Sequence, residues 1–283
     1  MRIGVIGGGV VGGATAQAFA SHVDEVRVYD SNPLRCTATL VEVLDTDLVF
    51  VCLPTPQKAG LLECETKYLD MFFSVAHDTH PNANYVLKST VPIGYTRKTR
   101  EKIGLVNLIH SPEFLTARTA VHDAANPNRI LIGEPNWTPT SEQTPCADKL
   151  QELCEKAFFV PSGDPFTVDD YTPPIYFMSS DESEAVKLMQ NSYSAVVIAT
   201  LNEFRCLADK TGMDWGRVMG ALLASGWLAP RHTQVPGPDG KRGFSGSCLP
   251  KDLANLMQCM MDNGVCDAMC FAAQMRNEHD RKE

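Results

Sequence analysis

The sequence has 283 residues, of which 44% are hydrophobic and 21% charged, a composition that excludes disordered and fibrous classes and allows two domains. The formal net charge of −9 argues against non-specific nucleic-acid binding, which needs a basic surface. The chain begins directly with a strand pattern rather than a leader, and no apolar run approaches about 18 residues, so we expect a cytoplasmic protein without a membrane span.

The first predicted element is a strand at Arg2–Ile6, followed by a glycine-rich turn and a helical pattern. Gly7, Gly9 and Gly12 stand in the order G-x-G-x-x-G between strand and helix, which is the fingerprint of a dinucleotide-binding fold. The first glycine makes the tight turn, the second lets the backbone approach a pyrophosphate, and the third allows close helix–strand packing. A pyrophosphate would then bind at the helix N-terminus.

Asp30 ends the second predicted strand, at Glu25–Tyr29. Its carboxylate can accept hydrogen bonds from both hydroxyls of an adenosine ribose and would repel a 2′-phosphate, which favours NAD over NADP. The segment from Asp30 to the next strand is short, so we expect a short helix or a loop in place of a full crossover helix. That next strand lies within Asp47–Pro56 and ends in a proline turn, at the carboxyl edge of the sheet where ligands bind.

Strand and helix patterns alternate through the rest of the first half. Strands are predicted at residues 84–88, 106–110, 129–133 and 157–160. Helices are predicted at 65–76, from after Gly94 to Lys102, and at 141–156. This alternation predicts an α/β fold, with a Rossmann-like, doubly wound and mostly parallel sheet. The proline-rich residues 164–174 are predicted to leave the sheet as a linker. We therefore expect an NAD-binding domain over 1–163 and an all-helical domain over 164–283.

Three predicted strands end in polar residues: Thr55, Thr90 and Glu113. A threonine after a strand is usually a turn or cap residue. Glu113 is followed by apolar residues, so its carboxylate needs a partner. His110 is interpreted as a packing residue at a strand end.

The second half begins with a long helical pattern from Glu182 to Lys210, capped by Ser180, which we expect to form the spine of the second domain. Lys187 and Asn191 are four residues apart and project side by side. They form either an ordinary surface pair or, if their face turns toward Cys248, an ammonium and an amide that stabilise an oxyanion.

Cys248 lies between flexible glycines and a predicted helix that has Pro250 in its first turn. A thiol near a helix N-terminus is stabilised as thiolate by the helix dipole. Lys251 and Asp252 add a cation and a candidate base. The alternative is a small-residue loop that caps an ordinary helix.

The remaining cationic and cysteine residues point less clearly to a site. The loop before Cys248 carries four residues that suit a phosphate-bearing substrate, although a solvated loop has the same composition: Arg231, His232, Lys241 and Arg242. Ten cysteines are scattered along the chain and lack the paired spacing of zinc ligands, so no metal site is expected. Two closing helices are predicted at 249–263 and 267–280.

Assembled in order, these motifs resemble those of the UDP-glucose/GDP-mannose dehydrogenase family. The resemblance covers nearly the whole chain through seven segments: Gly7–Gly12, Val51–Pro56, Ser89–Pro92, Ser111–Leu115, Glu184–Asn191, Asn202–Glu203 and Gly243–Asp252. It implies oxidation of the C6 hydroxyl of a nucleotide sugar to a carboxylate, a four-electron reaction that uses two NAD. It also implies a homodimer built by Leu253–Asp280; the alternative is that this apolar stripe packs internally.

The resemblance also implies residue roles. Cys248 would be the nucleophile that forms a thiohemiacetal and then a thioester. Lys187 and Asn191 would stabilise the oxyanion, while Asp252, with Glu113 and Thr90, would activate and position water. The remaining residues expected to bind cofactor are Gly7, Gly9, Val10, Val11, Gly12, Asp30, Pro54, Thr55, Thr90 and Lys251. Those expected to bind substrate are Phe114, Leu115, Lys187, Asn191, Gly243, Phe244 and Gly246.

The chain departs from the family pattern in three places. Members have a third, nucleotide-binding domain after the closing helices, and this sequence ends at Glu283, so a separate chain is a candidate source of that domain. The segment after Asp30 is short, and Thr116–Arg118 replaces a stretch in which relatives of the UDP-glucose type carry a glutamate. Two alternatives remain: a two-electron β-hydroxyacid dehydrogenase, which would not need Cys248, and a non-catalytic NAD-binding subunit.

Overall fold

The computed structural model describes residues 1–159 and 172–282. The chain divides into two compact units. The first contains Met1–Thr55 and Glu65–Lys187, and the second contains Pro56–Cys64 and Leu188–Glu283. The boundary expected between residues 163 and 164 lies outside the described residues, and so does most of the linker predicted at 164–174.

The first unit is built on one seven-stranded sheet. Its strands are β1 Arg2–Ile6, β2 Glu25–Tyr29, β3 Leu48–Val51, β4 Tyr85–Leu87, β5 Leu108–His110, β6 Ile130–Glu134 and β7 Ile175–Ser179. Their spatial order is β2-β1-β3-β4-β5-β6-β7. All neighbours are parallel except β5 and β6, which meet antiparallel through His110 and Gly133. The predicted mostly parallel, doubly wound sheet is confirmed.

Ten α-helices are described along the chain. They are α1 Val10–Phe19, α2 Leu40–Leu44, α3 Lys67–Thr79, α4 Tyr95–Ile103, α5 Ala120–Ala125, α6 Pro145–Phe158, α7 Ser180–Thr211, α8 Trp215–Ala224, α9 Leu249–Asp262 and α10 Ala268–Asp280. The short segment after Asp30 holds a 3₁₀ turn at Pro33–Arg35 and the five-residue α2, as its length predicted. No described helix is long and apolar enough to cross a membrane.

Alternating side chains of the strands build two cores on opposite faces of the sheet, because successive residues of a strand point to opposite sides. Phe50 of β3 belongs to one core, where its ring stacks on Phe19 of α1 at 5.4 Å between centroids. Val49 and Val51 of the same strand belong to the other core, together with Phe73 of α3. Helices on both faces bury the sheet, which explains the continuous apolar character of β3.

The prediction of a strand at residues 157–160 is wrong for residues 157–159, which are the ones that the structure describes. Ala157 and Phe158 are the last residues of α6, and Val160 lies outside the described residues. Phe158 is apolar because it packs its ring 5.4 Å from that of Phe19 in the sheet core, on the buried face of a helix. The last strand of the sheet is instead β7, which the sequence did not reveal and which pairs with β6.

The second unit is helical apart from its loops. Leu201 of α7, Met219 of α8 and Val235 form a buried cluster, with Trp215 and Leu228 packed against it. The predicted long helix is confirmed as the 32-residue α7. The division between the two units falls within α7, after Lys187.

Candidate active site

The glycine-rich turn after β1 has the geometry that its sequence predicted. Gly7 has a φ of 92°, a conformation that favours glycine. A Cβ atom on Gly12 would lie 1.9 Å from the carbonyl oxygen of Gly7, so only glycine allows α1 to start this close to β1. The loop also lies beside the point where the strand order reverses, since β2 and β3 flank β1 on opposite sides.

The end of this turn fits the pyrophosphate of a dinucleotide. Gly9 is the N-cap of α1 and supplies no side-chain acceptor, so the first N–H groups of the helix, from Val10 and Val11 onward, face outward without a capping side chain. A Cβ atom on Gly9 would meet no atom within 4 Å. An anion can therefore approach the helix N-terminus closely.

Asp30 lies at the carboxyl end of β2, where an adenosine ribose would be recognised. One of its carboxylate oxygens accepts the Gly8 N–H at 2.7 Å and the other accepts the Asn32 N–H at 2.7 Å. The side chain is 10% exposed, and the Arg35 guanidinium lies 3.9 Å away. Asp30 is thus fixed beside the glycine-rich turn, and each oxygen keeps a further lone pair for a ribose hydroxyl.

Thr55 and Thr90 are brought together by the neighbouring strands β3 and β4. The buried Thr55 hydroxyl donates to the Thr90 carbonyl at 2.7 Å. The adjacent Ser89 hydroxyl donates to the Leu53 carbonyl at 2.7 Å, just before Pro54. These bonds join the two loops at the carboxyl edge of the sheet, and the turn role considered for Thr55 is present whether or not it contacts a cofactor.

Glu113 has the partner that its position called for, and that partner is Lys187. The Lys187 ammonium donates to the Glu113 carbonyl at 2.7 Å and to its carboxylate at 2.8 Å. The side chains are 5% and 12% exposed. The other Glu113 oxygen accepts the Leu115 N–H at 2.6 Å. This ion pair is therefore rigid and largely dry, which strengthens its field on any group nearby.

Phe114 is flanked by two cations. The Arg129 guanidinium lies 4.0 Å from the centre of its ring and the Lys187 ammonium 5.5 Å from it. Sequence reasoning missed Arg129, whose only signal was a charge at the start of a buried strand. The half-buried Phe114 and Leu115 thus belong to the same cluster as the Glu113–Lys187 pair.

The first turns of α7 are anchored on the sheet domain by buried polar groups. Glu184, 1% exposed, accepts the N–H groups of Gly94 and Thr96 at 2.6 and 2.8 Å, and also the Thr96 hydroxyl at 2.6 Å. Burial raises the pKa of Glu184 to about 7, against the effect of these hydrogen bonds. Lys187 lies one turn further along, so these anchors fix its position.

His110 packs at the end of β5, as the sequence suggested. It is fully buried, and its Nδ1 atom lies 2.9 Å from the Ser183 hydroxyl of α7. Burial lowers the pKa of His110 to about 3, so the ring is neutral. These contacts support the structural interpretation of His110.

The second unit carries the cysteine. Cys248 is the N-cap of α9, and Pro250 lies in the first turn, as predicted. The cysteine is exposed, and the Ser247 hydroxyl lies 3.7 Å from its sulfur. Its side chain makes no capping hydrogen bond to the first turn of α9.

Asp252, one turn into α9, accepts hydrogen bonds from two of the predicted site residues. Its carboxylate accepts the Asn191 amide at 2.6 Å and the Lys251 ammonium at 2.5 Å, and the Asp252 side chain is 1% exposed. The Ser192 hydroxyl lies 3.5 Å from the Asp252 carbonyl. Asn191 and Lys251 are therefore oriented by Asp252 rather than free at the surface.

The backbone before Cys248 is held by two asparagines. Gly243 has a φ of 74°, and a Cβ atom there would lie 2.4 Å from the Asn277 side-chain oxygen. Asn202 accepts the Gly243 N–H at 3.1 Å, and Asn277 accepts the Phe244 N–H at 2.6 Å. The Phe244 ring is buried, so it can reach a substrate only through its backbone. Gly246, with a φ of 84°, gives the loop a second left-handed residue.

The predicted residues thus fall into two groups, each within one unit. Glu113, Phe114 and Lys187 cluster in the first unit. Asn191 and Asp252 are paired in the second, where Cys248 begins the same helix. Asn202 was noted only as part of a motif, and Asn277 was not recognised, because an asparagine that binds backbone has no sequence signature.

Two sequence profiles match the chain in order. Residues 34–155 match the NAD binding domain of the UDP-glucose/GDP-mannose dehydrogenase family, and residues 181–279 match its central domain. The UDP-glucose 6-dehydrogenase of Campylobacter jejuni is 25% identical over 236 residues, which are 83% of this chain and 54% of that protein. The chain thus spans about half the length of that relative.

Solved structures show the same fold. A UDP-glucose dehydrogenase from Pyrobaculum islandicum aligns with a TM-score of 0.78 and 25% identity, over 98% of this chain and 68% of that one. The 3-hydroxyisobutyrate dehydrogenase of Mycobacterium tuberculosis aligns with a TM-score of 0.71 and 16% identity, over 96% and 91%. The second likeness concerns the fold alone, whereas both profiles name one family. The chain belongs to the UDP-glucose/GDP-mannose dehydrogenase family and contains its NAD-binding domain.

Proposed function

We propose that the chain catalyses the NAD-dependent, four-electron oxidation of the C6 hydroxyl of a nucleotide sugar, as from UDP-glucose to UDP-glucuronate. The observation that carries this proposal is the exposed Cys248 at the start of α9, one turn before the buried and fully paired Asp252. A two-electron dehydrogenase has no use for such a thiol. The relatives named UDP-glucose 6-dehydrogenase support the choice of substrate.

The cysteine divides the reaction into two oxidations. NAD, when bound, accepts the hydride removed in each. After the first oxidation, the Cys248 sulfur bonds to the C6 aldehyde carbon, and the aldehyde oxygen takes up a proton to give a thiohemiacetal. Loss of a hydride from C6 and of the hydroxyl proton then leaves a thioester on Cys248. Covalent attachment prevents release of the aldehyde between the two steps.

Hydrolysis of the thioester needs an oxyanion site and a base. Lys187 and Asn191, one turn apart on α7, supply an ammonium and an amide donor for the negative oxygen. Water attacks the thioester carbon, Asp252 takes up the one proton released, and the thiolate of Cys248 leaves, while Glu113 helps to position the water and assists the proton transfer. Thr90 assists in positioning the water. The hydrogen bonds that fix Lys187 on Glu113 and Asn191 on Asp252 keep these donors ordered before the reaction.

Two features of organisation belong to the same proposal. Residues 1–163 would form the NAD-binding domain, and the helical domain expected over 164–283 would begin after β7, which pairs with β6 in the sheet. Leu253–Asp280 would form a homodimer surface, because five large apolar side chains of this region are at least half exposed: Met261, Val265, Met269, Phe271 and Met275. A molecular mass of one chain at working concentration in solution would contradict the dimer.

A second candidate is a two-electron β-hydroxyacid dehydrogenase. The length of the fold is compatible with it, since the alignment with the M. tuberculosis enzyme covers 91% of that chain. The exposed N-cap cysteine has no role in this alternative.

The test is to count NADH formed per sugar consumed, with UDP-glucose and a panel of other nucleotide sugars. Two NADH per sugar, lost in Cys248→Ala, supports the proposal. One NADH per molecule of a hydroxy acid, retained in Cys248→Ser, supports the alternative. No NADH with any substrate would contradict a catalytic role for this chain alone and would direct the search to a partner chain or a non-catalytic role.

A further inference from the structure

Arg242, the residue before Gly243, is attached to α7 by both ends of its guanidinium. One N–H donates to the Cys206 sulfur, and another donates to Asp209 at 2.5 Å. Cys206 and Asp209 are three residues apart, so they lie on the same face of the helix. The Arg242 side chain is only 26% exposed, which makes these contacts stronger than an ordinary surface pair.

Two arginines in and just after α10 contact the members of one pair of residues, Arg276 contacting Cys206 and Arg281 contacting Arg242. Arg276 donates to the Cys206 sulfur at 3.0 Å and to Asp280 at 2.6 Å. Arg281 donates to the backbone carbonyl of Arg242 at 3.2 Å, and it also pairs with Asp239 at 2.7 Å. Arg242 is therefore held through its side chain by α7 and through its backbone carbonyl by Arg281, the residue that follows α10.

Arg242 immediately precedes the cysteine loop, defined as Gly243–Cys248. The first two residues of this loop, Gly243 and Phe244, are fixed through their backbone N–H groups. Asn202 accepts one of them and Asn277 the other. Beyond them, Ser245 has a single side-chain contact, from its hydroxyl to Asp239 at 3.2 Å, and Gly246 has a φ of 84°. A segment with two left-handed glycines has high conformational entropy when free, so its order depends on how its first residue is held.

We propose that Arg242 is a positioning residue for the cysteine loop: its guanidinium, bound by Cys206 and Asp209, fixes the start of Gly243–Cys248 and so the place of the Cys248 thiol. The planar guanidinium can serve both acceptors at once, which a lysine ammonium at the end of a flexible chain does poorly. Cys206 acquires a role as an acceptor, although it is not itself a reacting group. The inference deepens the proposed function, but its main test needs no activity.

That test is amide hydrogen exchange of the whole chain, read by mass spectrometry on a peptide that covers the cysteine loop. Loss of a charge-assisted hydrogen bond in Arg242→Met should accelerate exchange in this peptide about tenfold or more. Arg217→Met is the matched control, because Arg217 lies in the same unit, is 87% exposed and contacts Asp214 of its own helix cap. Exchange within about twofold of the wild type in Arg242→Met overturns the proposal.

The acceptor side provides a second, milder pair of variants in case Arg242→Met does not fold. Cys206→Ser keeps an acceptor for the two arginines, whereas Cys206→Val removes it at similar volume. Faster exchange of the loop in the valine variant but not in the serine variant supports the proposal. Equal exchange in both shows that the sulfur contact does not transmit to the loop and overturns it.

Kinetics separates positioning from general stability. Once the wild type is shown to oxidise a nucleotide sugar, Arg242→Met should lower kcat about tenfold with little change in the KM for NAD, and Arg242→Lys should recover part of the loss. An unchanged kcat in Arg242→Met overturns the link to the thiol. Failure of the proposed function would appear differently, as a wild type without NADH formation whose exchange results still stand.

Discussion

Two glycine-containing loops of this molecule each lead into the N-terminus of a helix, but the residue at which each loop ends is different. The turn at Gly7–Gly9 contains one glycine with positive φ and the loop at Gly243–Cys248 contains two, and both segments end at the N-terminus of a helix. The first ends in Gly9, which leaves the helix terminus open for an anion. The second ends in Cys248, which places a thiol at the same kind of terminus. The two helix starts therefore differ at the N-cap, which is a glycine without a side chain in one and a cysteine in the other.

The largest effect on activity is expected from replacing Cys248, the N-cap residue of α9 at the end of the second loop. Cys248→Ala removes the atom that forms the thioester, so we expect formation of the carboxylate to fall at least about a thousandfold. NADH release and carboxylate should be measured together by absorbance and mass spectrometry. Cys266→Ala, the replacement of the other exposed cysteine, should have wild-type rates. Full carboxylate production by Cys248→Ala would remove the difference between the two loops.

The first loop is tested by a pair of glycine substitutions. Gly12→Ala should destabilise the chain by about 3 kcal/mol or more, because the new Cβ would lie 1.9 Å from a backbone oxygen. Gly9→Ala should leave the free energy of unfolding nearly unchanged, since its Cβ meets no atom within 4 Å, yet weaken NAD binding. Denaturant unfolding and titration with NAD distinguish the two effects. Tight NAD binding by Gly9→Ala would mean that the cofactor does not approach this terminus.

A third helix N-terminus, that of α4, is occupied by a side chain of the protein itself. The buried Glu184 carboxylate accepts hydrogen bonds from the N–H groups of Gly94 and Thr96 at the start of this helix. Its pKa is raised from 4.5 to about 7, so ionisation is costlier in the folded state than in the unfolded one. The stability from this group is present at low pH and is lost as the pH rises through 7. The free energy of unfolding, relative to Glu184→Gln, should therefore fall by about 2.5 kcal/mol between pH ~5 and ~8.

Unfolding curves at several pH values, for wild type and variant, measure this difference directly. Glu203→Gln, at an exposed position of the same helix, is the control and should show no such trend. A difference independent of pH would indicate that Glu184 has the same charge throughout this range.

The smallest expected effect concerns the loops beside the cofactor turn. Thr55→Val removes the hydrogen bond to the Thr90 carbonyl and should lower the free energy of unfolding by about 1 kcal/mol, whereas Thr55→Ser should retain it. A larger effect of Thr55→Val on the KM for NAD than on stability would show that the hydroxyl also contacts the cofactor. A loss of stability in Thr55→Ser but not in Thr55→Val would show that the methyl group, not the hydroxyl, is responsible.

The sequence predicted the fold where local patterns and global structure agree. Each of three sequence patterns identified an element: the order of glycines around Gly7, the apolar run of β3, and the helical periodicity sustained along α7. Buried strands and amphipathic helices have characteristic spacings of apolar residues, which made these elements recognisable. Prediction failed at the end of α6, where Phe158 is apolar on a buried helical face. It missed β7, whose short alternation is also compatible with a loop.

The candidate site was predicted by residue type but not by pairing. Glu113 was expected to need a partner, yet nothing in the sequence identified Lys187, 74 residues away, as that partner. Asp252 and Asn191 were assigned separate roles and are hydrogen-bonded to each other. Arg129 and Asn277 were not foreseen, since long-range polar contacts depend on tertiary structure rather than on periodicity.

The exposure of the cysteines has a practical consequence for labelling. Of the ten thiols, only Cys248 and Cys266 are exposed, and the other eight are buried or half-buried. A Cys266→Ala protein would therefore present a single exposed thiol, at the proposed reactive position. A fluorescent electrophile could then be attached at one site, and its competition with nucleotide sugars would report occupancy without any turnover.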